Sequence, residues 1–384
     1  LKFFELKKEK EMQPIVMIVG TRPEGIKMMP IYLSLKKADM PVLLCSTTQH
    51  GEILSQVFDL FQVKPDFELN IMKKDQDLFY ITSEILLKLK EVFLKTNPSL
   101  ILVQGDTTSA MAASLASYYL KIPVGHIEAG LRTNNIYAPY PEEINRQIIS
   151  LIAQFHFAPT NIWASQLLSE GVSKDKVFCT GNTVVDALRI ISEKINSGLI
   201  SVSENVKNIL YDANKSGKKI ILLTMHRRES FDGGILKVLN SIKEVLRVNK
   251  NLLFVFPVHP NPNVQRDLQL SGIKSHEGFI AIEPLLYPDI IYLIKNSLGV
   301  LTDSGGIQEE AVSLQKPVLI LRDQTERPEG INAGIARLVG SDSEKILKAI
   351  EDMLCDRFSK ADAQGLYGDG HSADLIVNIL KNNF

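Results

Sequence analysis

The sequence predicts an α/β protein built of two doubly wound domains, and three observations carry the expectation. Apolar runs of four to seven residues alternate with helical patterns; the alternating array occurs twice in succession; and at 384 residues the chain exceeds what one ordinary core accommodates.

The first array starts with "IVMIV", followed by a helical pattern from Glu24 to Ala38. "VLLC" precedes Glu52 to Phe61, "LILVQ" precedes Thr107 to Leu120, "IPVGHI" precedes Glu142 to Ala153, and "KVFCT" precedes Val184 to Ile195. Unbroken apolar runs of this length read as strands buried on both faces, and helices between them make the sheet parallel. The second array opens near Lys219 with "KIILLT" and continues through "LLFVFPV", "FIAIEP", "LGVLTD" and "KPVLILR", each with a helical stretch behind it. The polar segments "GNTVVDA" and "INSGLISVSENVKN" bracket a boundary near residue 183, which gives domains of residues 12–182 and 183–370. The charged leader "LKFFELKKEKEMQP" has no initiator Met and no apolar signal-peptide core, and reads as an extension outside the fold.

Lys+Arg 43 against Asp+Glu 44 leaves a formal charge of -1. That excludes the basic footprint of a nucleic-acid or acidic-membrane binder and leaves only local clusters for a small anion. No apolar run approaches the ~18 residues of a membrane helix, so a soluble, cytoplasmic protein is expected. Cys45, Cys179 and Cys355 lie far apart without CxxC spacing. They argue against a disulfide framework or a thiolate metal site, and read as buried structural thiols in a reducing compartment.

Open parallel sheets bind ligands beyond the carboxyl ends of their strands, and two such domains facing one another would form an interdomain cleft. The segments at those ends are "GTRPEGIK", "QGDTTS", "HIEAGLR", "TMHRRES", "PVHPNPN", "TDSGGIQEEA" and "RDQTERPEG". In "LTDSGGIQEEA" a strand leads through Ser304, Gly305 and Gly306 into a helix. Glycines let backbone N–H groups approach an anion, and the helix start adds partial positive charge, so this is a phosphate cradle; the competing reading is an ordinary N-cap serine. Glu310, on the same helix, serves ribose hydroxyls in the first reading and is a surface glutamate in the second. "GTRPEGIK" lacks GxGxxG, which counts against NAD or FAD. Arg22 and Lys27 there suit a diphosphate or are plain surface cations, with Pro23 as the first helical residue. His226, Arg227 and Arg228 at another strand end favour contact with an anion.

"GHIEAGLRTNNIYAPYPEEINR", residues 125–146, concentrates opposing charges at an element junction. Asp106 and Glu128 end neighbouring strands and Glu142 opens the next helix. Its bland alternative is dipole compensation, with Arg146 at i+4 as a helical ion pair. Asp75 and Asp77 in "DQD" read as helix caps rather than metal ligands, and no spacing suggests zinc.

Together "GTRPE", "GDTTS", "HIEAGLRT", "YPEEINR", "TGNTVVDAL", "HRRES" and "TDSGGIQEEA...KPVLILRDQTERPE" resemble the non-hydrolysing UDP-N-acetylglucosamine 2-epimerases from about Val16 to the C-terminus. The resemblance implies a GT-B fold, a C-terminal helix (371–384) crossing back onto the first domain, and a homodimer. It implies interconversion of UDP-GlcNAc with UDP-ManNAc for cell-surface polysaccharide, without cofactor or metal. Arg22, His226, Ser304, Gly305, Gly306 and Glu310 match the family's UDP contacts, with His226 also among its catalytic residues. Lys27, Asp106, Glu128, Glu142 and Arg146 match its catalytic region. Some family members carry a second, regulatory UDP-GlcNAc site that matches Gln49, Arg227 and His259; Gly51 stands beside it here where arginine is common.

The chemistry is consistent with that residue set. A hexosamine C2 proton is not acidic, because no carbonyl at C1 or C3 stabilises a carbanion. Elimination of UDP to a 2-acetamidoglucal and re-addition avoids the carbanion, needs a bound diphosphate, and needs proton transfer on both faces of C2, which takes more than one carboxylate. A hydrolysing epimerase, a GT-B glycosyltransferase and a non-catalytic UDP-sugar sensor are the alternatives; the sensor has no use for carboxylates at three element ends.

Overall fold

The structure, a computed structural model, describes residues 13–47, 51–73, 76–225, 233–359, 363 and 365–383, side chains of 51–53 excepted. It divides into two compact units, residues 1–183 with 371–384 and residues 184–370.

The first unit holds a seven-stranded parallel sheet of order β3-β2-β1-β4-β5-β6-β7. Its strands are β1 (Ile15–Val19), β2 (Val42–Ser46), β3 (Phe67–Glu68), β4 (Leu100–Gln104), β5 (Val124–Ile127), β6 (Phe155–Ala158) and β7 (Val177–Cys179). The connecting helices are α1 (Arg22–Lys37), α2 (Gly51–Phe61), α3 (Leu78–Thr96), α4 (Thr108–Tyr119), α5 (Glu142–Ile152) and α6 (Asn161–Ser169). Every residue of β1 and β4 is buried, as a strand covered on both faces requires. Helix starts follow local chemistry. The Asp77 carboxylate accepts from Tyr80 N (2.8 Å) and so caps α3, as read from "DQD", while Asp75 lies outside the described residues. Thr107 caps α4 through Ala110 N. α1 begins at Arg22, so Pro23 is its second residue and not its first.

The second unit holds a six-stranded parallel sheet of order β10-β9-β8-β11-β12-β13. Its strands are β8 (Lys219–Thr224), β9 (Leu252–Pro257), β10 (Phe279–Ile282), β11 (Gly299–Thr302), β12 (Val318–Ile320) and β13 (Ala336–Leu338). Around it run α7 (Thr183–Asn196), α8 (Glu204–Lys215), α9 (Gly234–Val248), α10 (Pro262–Ser271), α11 (Tyr287–Lys295), α12 (Gly305–Ser313), α13 (Glu329–Asn332) and α14 (Ser343–Leu354). Two apolar clusters, one on each face of this sheet, form its core. The C-terminal helix α15 (Ser372–Asn383) belongs to the first unit and lies against α1, where the Ser34 hydroxyl donates to Asp374 Oδ1 at 2.7 Å.

The cysteine reading needs correction. Cys45 is buried, and burial pushes its thiol up to about 12, but Cys179 and Cys355 are exposed. Cys179 ends β7, the edge strand, and Cys355 follows the last turn of α14, so neither position is enclosed.

Candidate active site

In the first sheet the strand order reverses between β1 and β4, the point beyond whose strand ends open parallel sheets bind their ligands. The charged residues collect there. Glu128, just past β5, adopts φ of +63°, a left-handed conformation uncommon for a residue with a side chain. Its Oε2 accepts from the Lys27 ammonium of α1 in a buried ion pair, and from Gln104 Nε2 at 2.6 Å. Lys27 and Glu128 are 5% and 8% exposed, so neither charge can be left alone without large cost.

Asp106, just past β4, meets Arg146 of α5 at 2.9 Å through Nε and 2.6 Å through Nη2. Both contacts fall on Oδ2, so Oδ1 keeps acceptor capacity, and the Asp106 side chain remains 27% exposed. Asn145 Nδ2 donates to the Asp106 carbonyl (2.9 Å). Arg146 Nη1 reaches Glu143 at 3.1 Å. Glu143 accepts from the N–H groups of Thr133 and Asn134 at 3.0 and 3.1 Å. Burial pushes the Glu143 carboxyl up, but those N–H donors and the Arg146 charge outweigh it and hold it below its ordinary value.

The charges of 125–146 are therefore mostly internal. Arg132 is 5% exposed and is spent on Glu170, Ser150 and the Leu131 carbonyl. Glu142, the first residue of α5, is half-buried at the same end of the sheet. Beneath them His126 and His156 are cross-strand partners on β5 and β6. Burial lowers their pKa to about 3 and about 4, so both are neutral, and His126 Nε2–H donates to the Gly105 carbonyl (2.7 Å).

The second sheet reverses between β8 and β11. Behind β11, Ser304 occupies the N-cap of α12, but its hydroxyl makes no capping bond, contrary to the ordinary-cap reading; its N–H donates to Thr302 Oγ1 at 2.9 Å. A Cβ on Gly305 would stand 2.6 Å from the Arg327 guanidinium carbon, so a larger residue there would have to displace the guanidinium. Arg327 is held there by Glu309 (2.7 Å) and Glu326 (2.5 Å), and Glu326 also binds Arg322 (2.8 Å). Gly306 faces open space, and Glu310 is buried, not a surface glutamate.

A family model described as UDP-N-acetylglucosamine 2-epimerase matches residues 34–381. The chain is 43% identical over 379 residues to the UDP-N-acetylglucosamine 2-epimerase of Campylobacter jejuni, covering 96% of this chain and 98% of that one. The chain belongs to the UDP-N-acetylglucosamine 2-epimerase family. Solved structures agree. The Neisseria meningitidis UDP-GlcNAc 2-epimerase bound to UDP-GlcNAc superposes with a TM-score of 0.88 at 44% identity, over 96% of this chain and all of that one. The Methanocaldococcus jannaschii epimerase in complex with UDP-GlcNAc and UDP gives 0.80 at 35% identity, over 96% and 99%. The fold is GT-B-like.

Of the residues that resemble this family's site, the structure brings Lys27, Glu128, Asp106 and Arg146 into one cluster, with Arg22 and Glu142 at the same sheet end. Ser304, Gly305 and Gly306 form one helix start in the second unit, and Glu310 lies further along the same helix. His226, Arg227 and Gln49 lie outside the described residues. His259 is exposed past β9, and its Nδ1 accepts from Asn261 N at 3.2 Å. Sequence reasoning passed over Gln104, Asn145, Glu24 and Arg327, and counted Glu143 among the charges of residues 125–146 around the sugar, whereas it is buried and bound to Arg146 and two backbone N–H groups. "EEINR" does hold a signal for one of them, since Asn145 follows Glu142 and precedes Arg146 on a helix whose start abuts the Asp106 loop.

Proposed function

We propose that this chain interconverts UDP-GlcNAc and UDP-ManNAc by eliminating UDP to a 2-acetamidoglucal and adding it back. The observation that carries the mechanism is the pair of carboxylate–cation couples, Glu128–Lys27 and Asp106–Arg146, at the reversal point of one sheet.

In this reading the C1–O bond breaks with its electron pair leaving on UDP, and a carboxylate takes the C2 proton; reversal returns a proton to the opposite face. Asp106 suits transfer because Oδ1 keeps acceptor capacity and the side chain is partly open. Glu128, enclosed by Lys27 and Gln104, is fixed in direction, and Lys27 offers the proton and charge that move with it. Glu142 is assigned to the remaining face. Gly305 and Gly306 offer N–H groups at the start of α12 to the diphosphate, and Ser304 offers the hydroxyl that makes no capping bond; retention of the diphosphate separates epimerisation from hydrolysis, Arg22 and His226 add charge, and Glu310 takes the ribose.

The finer assignments have separate support. A homodimer is supported by exposed Leu87 and Leu94 on α3, Tyr118 and Tyr119 on α4, and Leu151 on α5, with α3 and α5 each packed against α4. Three free thiols support a reducing cytoplasm. A role in cell-surface polysaccharide synthesis rests on the family resemblance, as does UDP-GlcNAc regulation through Gln49, Arg227 and His259. Incubating the protein with UDP-GlcNAc and separating the products tests the reaction. UDP-ManNAc is expected to dominate, and free UDP exceeding UDP-ManNAc sinks the retention argument.

A further inference from the structure

Glu24 is buried at 1% exposure and has no part in the chemistry above. It lies one turn before Lys27 on α1. Gly20 N donates to its Oε2 at 3.0 Å, and the Thr107 hydroxyl donates to its Oε1 at 2.6 Å. That hydroxyl also accepts from Ala110 N at 3.0 Å, so its single proton is committed to Glu24 while its lone pair starts α4. A plain alternative exists: a glutamate in the third position of a helix reaching back to its first N–H groups is half of a capping box. Capping accounts for Gly20 and for the Thr21 N–H, but not for a bond to a different strand end, nor for full burial. Burial raises this carboxyl to about 7, a cost that a half-exposed cap would not carry.

The tripeptide Gly105-Asp106-Thr107 is gripped at each residue in turn. His126 holds the Gly105 carbonyl at 2.7 Å, Asn145 holds the Asp106 carbonyl at 2.9 Å, and Glu24 holds the Thr107 hydroxyl. Close by, Gly20 meets the first turn of α4 so tightly that a Cβ there would lie 2.5 Å from Ser109 Oγ. We propose that Glu24 is a positioning residue for Asp106: through Thr107 it completes three anchors that fix the direction in which the Asp106 carboxylate leaves the loop. Glu24 touches no substrate in this account. Displacement of a catalytic group by about 1 Å is enough to cost about 10²-fold in rate, so one anchor of three is a measurable contribution.

The catalytic consequence rests on the epimerase reading, so the test pairs one measurement that depends on turnover with one that does not. The full chain carries Glu24→Gln, Thr107→Val or Thr107→Ser. Gln at 24 sets an amide donor where Gly20, Thr21 and Thr107 already donate, Val removes the hydroxyl, and Ser retains it. Amide hydrogen exchange over residues 105–111, read by mass spectrometry, is expected to quicken about tenfold or more in Glu24→Gln and Thr107→Val, with Thr107→Ser near wild type. Wild-type exchange in Glu24→Gln overturns the clamp. With UDP-GlcNAc, Glu24→Gln should lower kcat by about 10- to 100-fold with KM within about twofold, and Thr107→Ser should restore most of what Thr107→Val loses. In an Asp106→Asn background Glu24→Gln should cause no further loss, and a full multiplicative loss there overturns the positioning role. If the wild-type chain fails to turn over UDP-GlcNAc, the epimerase reading falls alone and the exchange result decides the clamp.

Discussion

Replacing Lys27 and Glu128 singly and together separates a buried ion pair from two independent side chains. Both are at least nine-tenths buried, and Gln104 also donates to the same Glu128 oxygen. Lys27→Met leaves a buried carboxylate with Gln104 still donating, and Glu128→Gln leaves a buried ammonium facing an amide. Each single change is expected to cost about 3 to 5 kcal/mol, the lower figure for Lys27→Met because the Gln104 bond survives. The double variant leaves neither charge of the pair and should stand within about 1 to 2 kcal/mol of wild type, a coupling of at least about 3 kcal/mol. The assay is guanidinium unfolding followed by fluorescence of the only tryptophan, Trp163, which belongs to the first unit and so reports on the unit that holds the pair. Turnover should fall about 10²- to 10⁴-fold in all three variants, because restored stability does not restore the chemistry. A second comparison isolates the backbone: at φ of +63°, Glu128→Gly should be more stable than Glu128→Ala by about 1 kcal/mol. Single-variant costs that simply add in the double variant would refute the pairing.

Three further outcomes are expected. Buried neutral His126 and His156, with pKa values lowered from 6.5 to about 3 and about 4, contribute stability that is complete above pH 6.5 and lost as pH falls toward those values, about 2 kcal/mol each by pH 5. Glu24, raised from 4.5 to about 7, acts oppositely and returns about 2 kcal/mol over the same descent. Unfolding at pH 7.5 and pH 5 should thus differ by about 2 kcal/mol in wild type and about 4 kcal/mol in Glu24→Gln; equal differences would refute the assignment. Gly305→Ala, which in an open helix would add up to about 1 kcal/mol of stability, should instead displace Arg327 and weaken UDP binding by calorimetry about tenfold or more; unchanged affinity would count against the cradle. Turnover should survive dialysis against EDTA and need no added NAD, since the sequence carries neither a dinucleotide fingerprint nor metal-ligand spacing; loss restored by Mg²⁺ or Mn²⁺ would contradict this.

Most of the strands were legible because full burial writes itself as unbroken apolar runs; "LILVQ" and "KIILLT" became β4 and β8 within a residue. The strands that left no such run are β3, two residues long, β13, which reads "ARL", and β6, whose "FHFA" places a histidine in the core. Asp106 and Glu128 were visible because a carboxylate directly behind an apolar run has little structural excuse. Gln104 and Glu24 were not, and Glu143 was visible only as one of the charges of 125–146. Their partners are a lysine-bound carboxylate, a threonine on another strand end and backbone N–H groups, relations that exist only once the chain is folded. Arg146 was placed in the catalytic region by the resemblance, with an i+4 pair to Glu142 as the bland alternative; that its guanidinium reaches Asp106, 40 residues away, and Glu143 at i+3 was not legible.

The most direct test of the account is solvent isotope incorporation at C2. With UDP-GlcNAc in D₂O, the wild-type chain is expected to place deuterium at C2 of UDP-ManNAc and of recovered UDP-GlcNAc, because the proton leaves to a carboxylate that exchanges with solvent before it returns. Asp106→Asn, Glu128→Gln and Glu142→Gln should lose the label in step with turnover while UDP affinity stays within about twofold, as the loss of a positioned acid or base predicts. Formation of UDP-ManNAc that retains protium at C2 would contradict the elimination account.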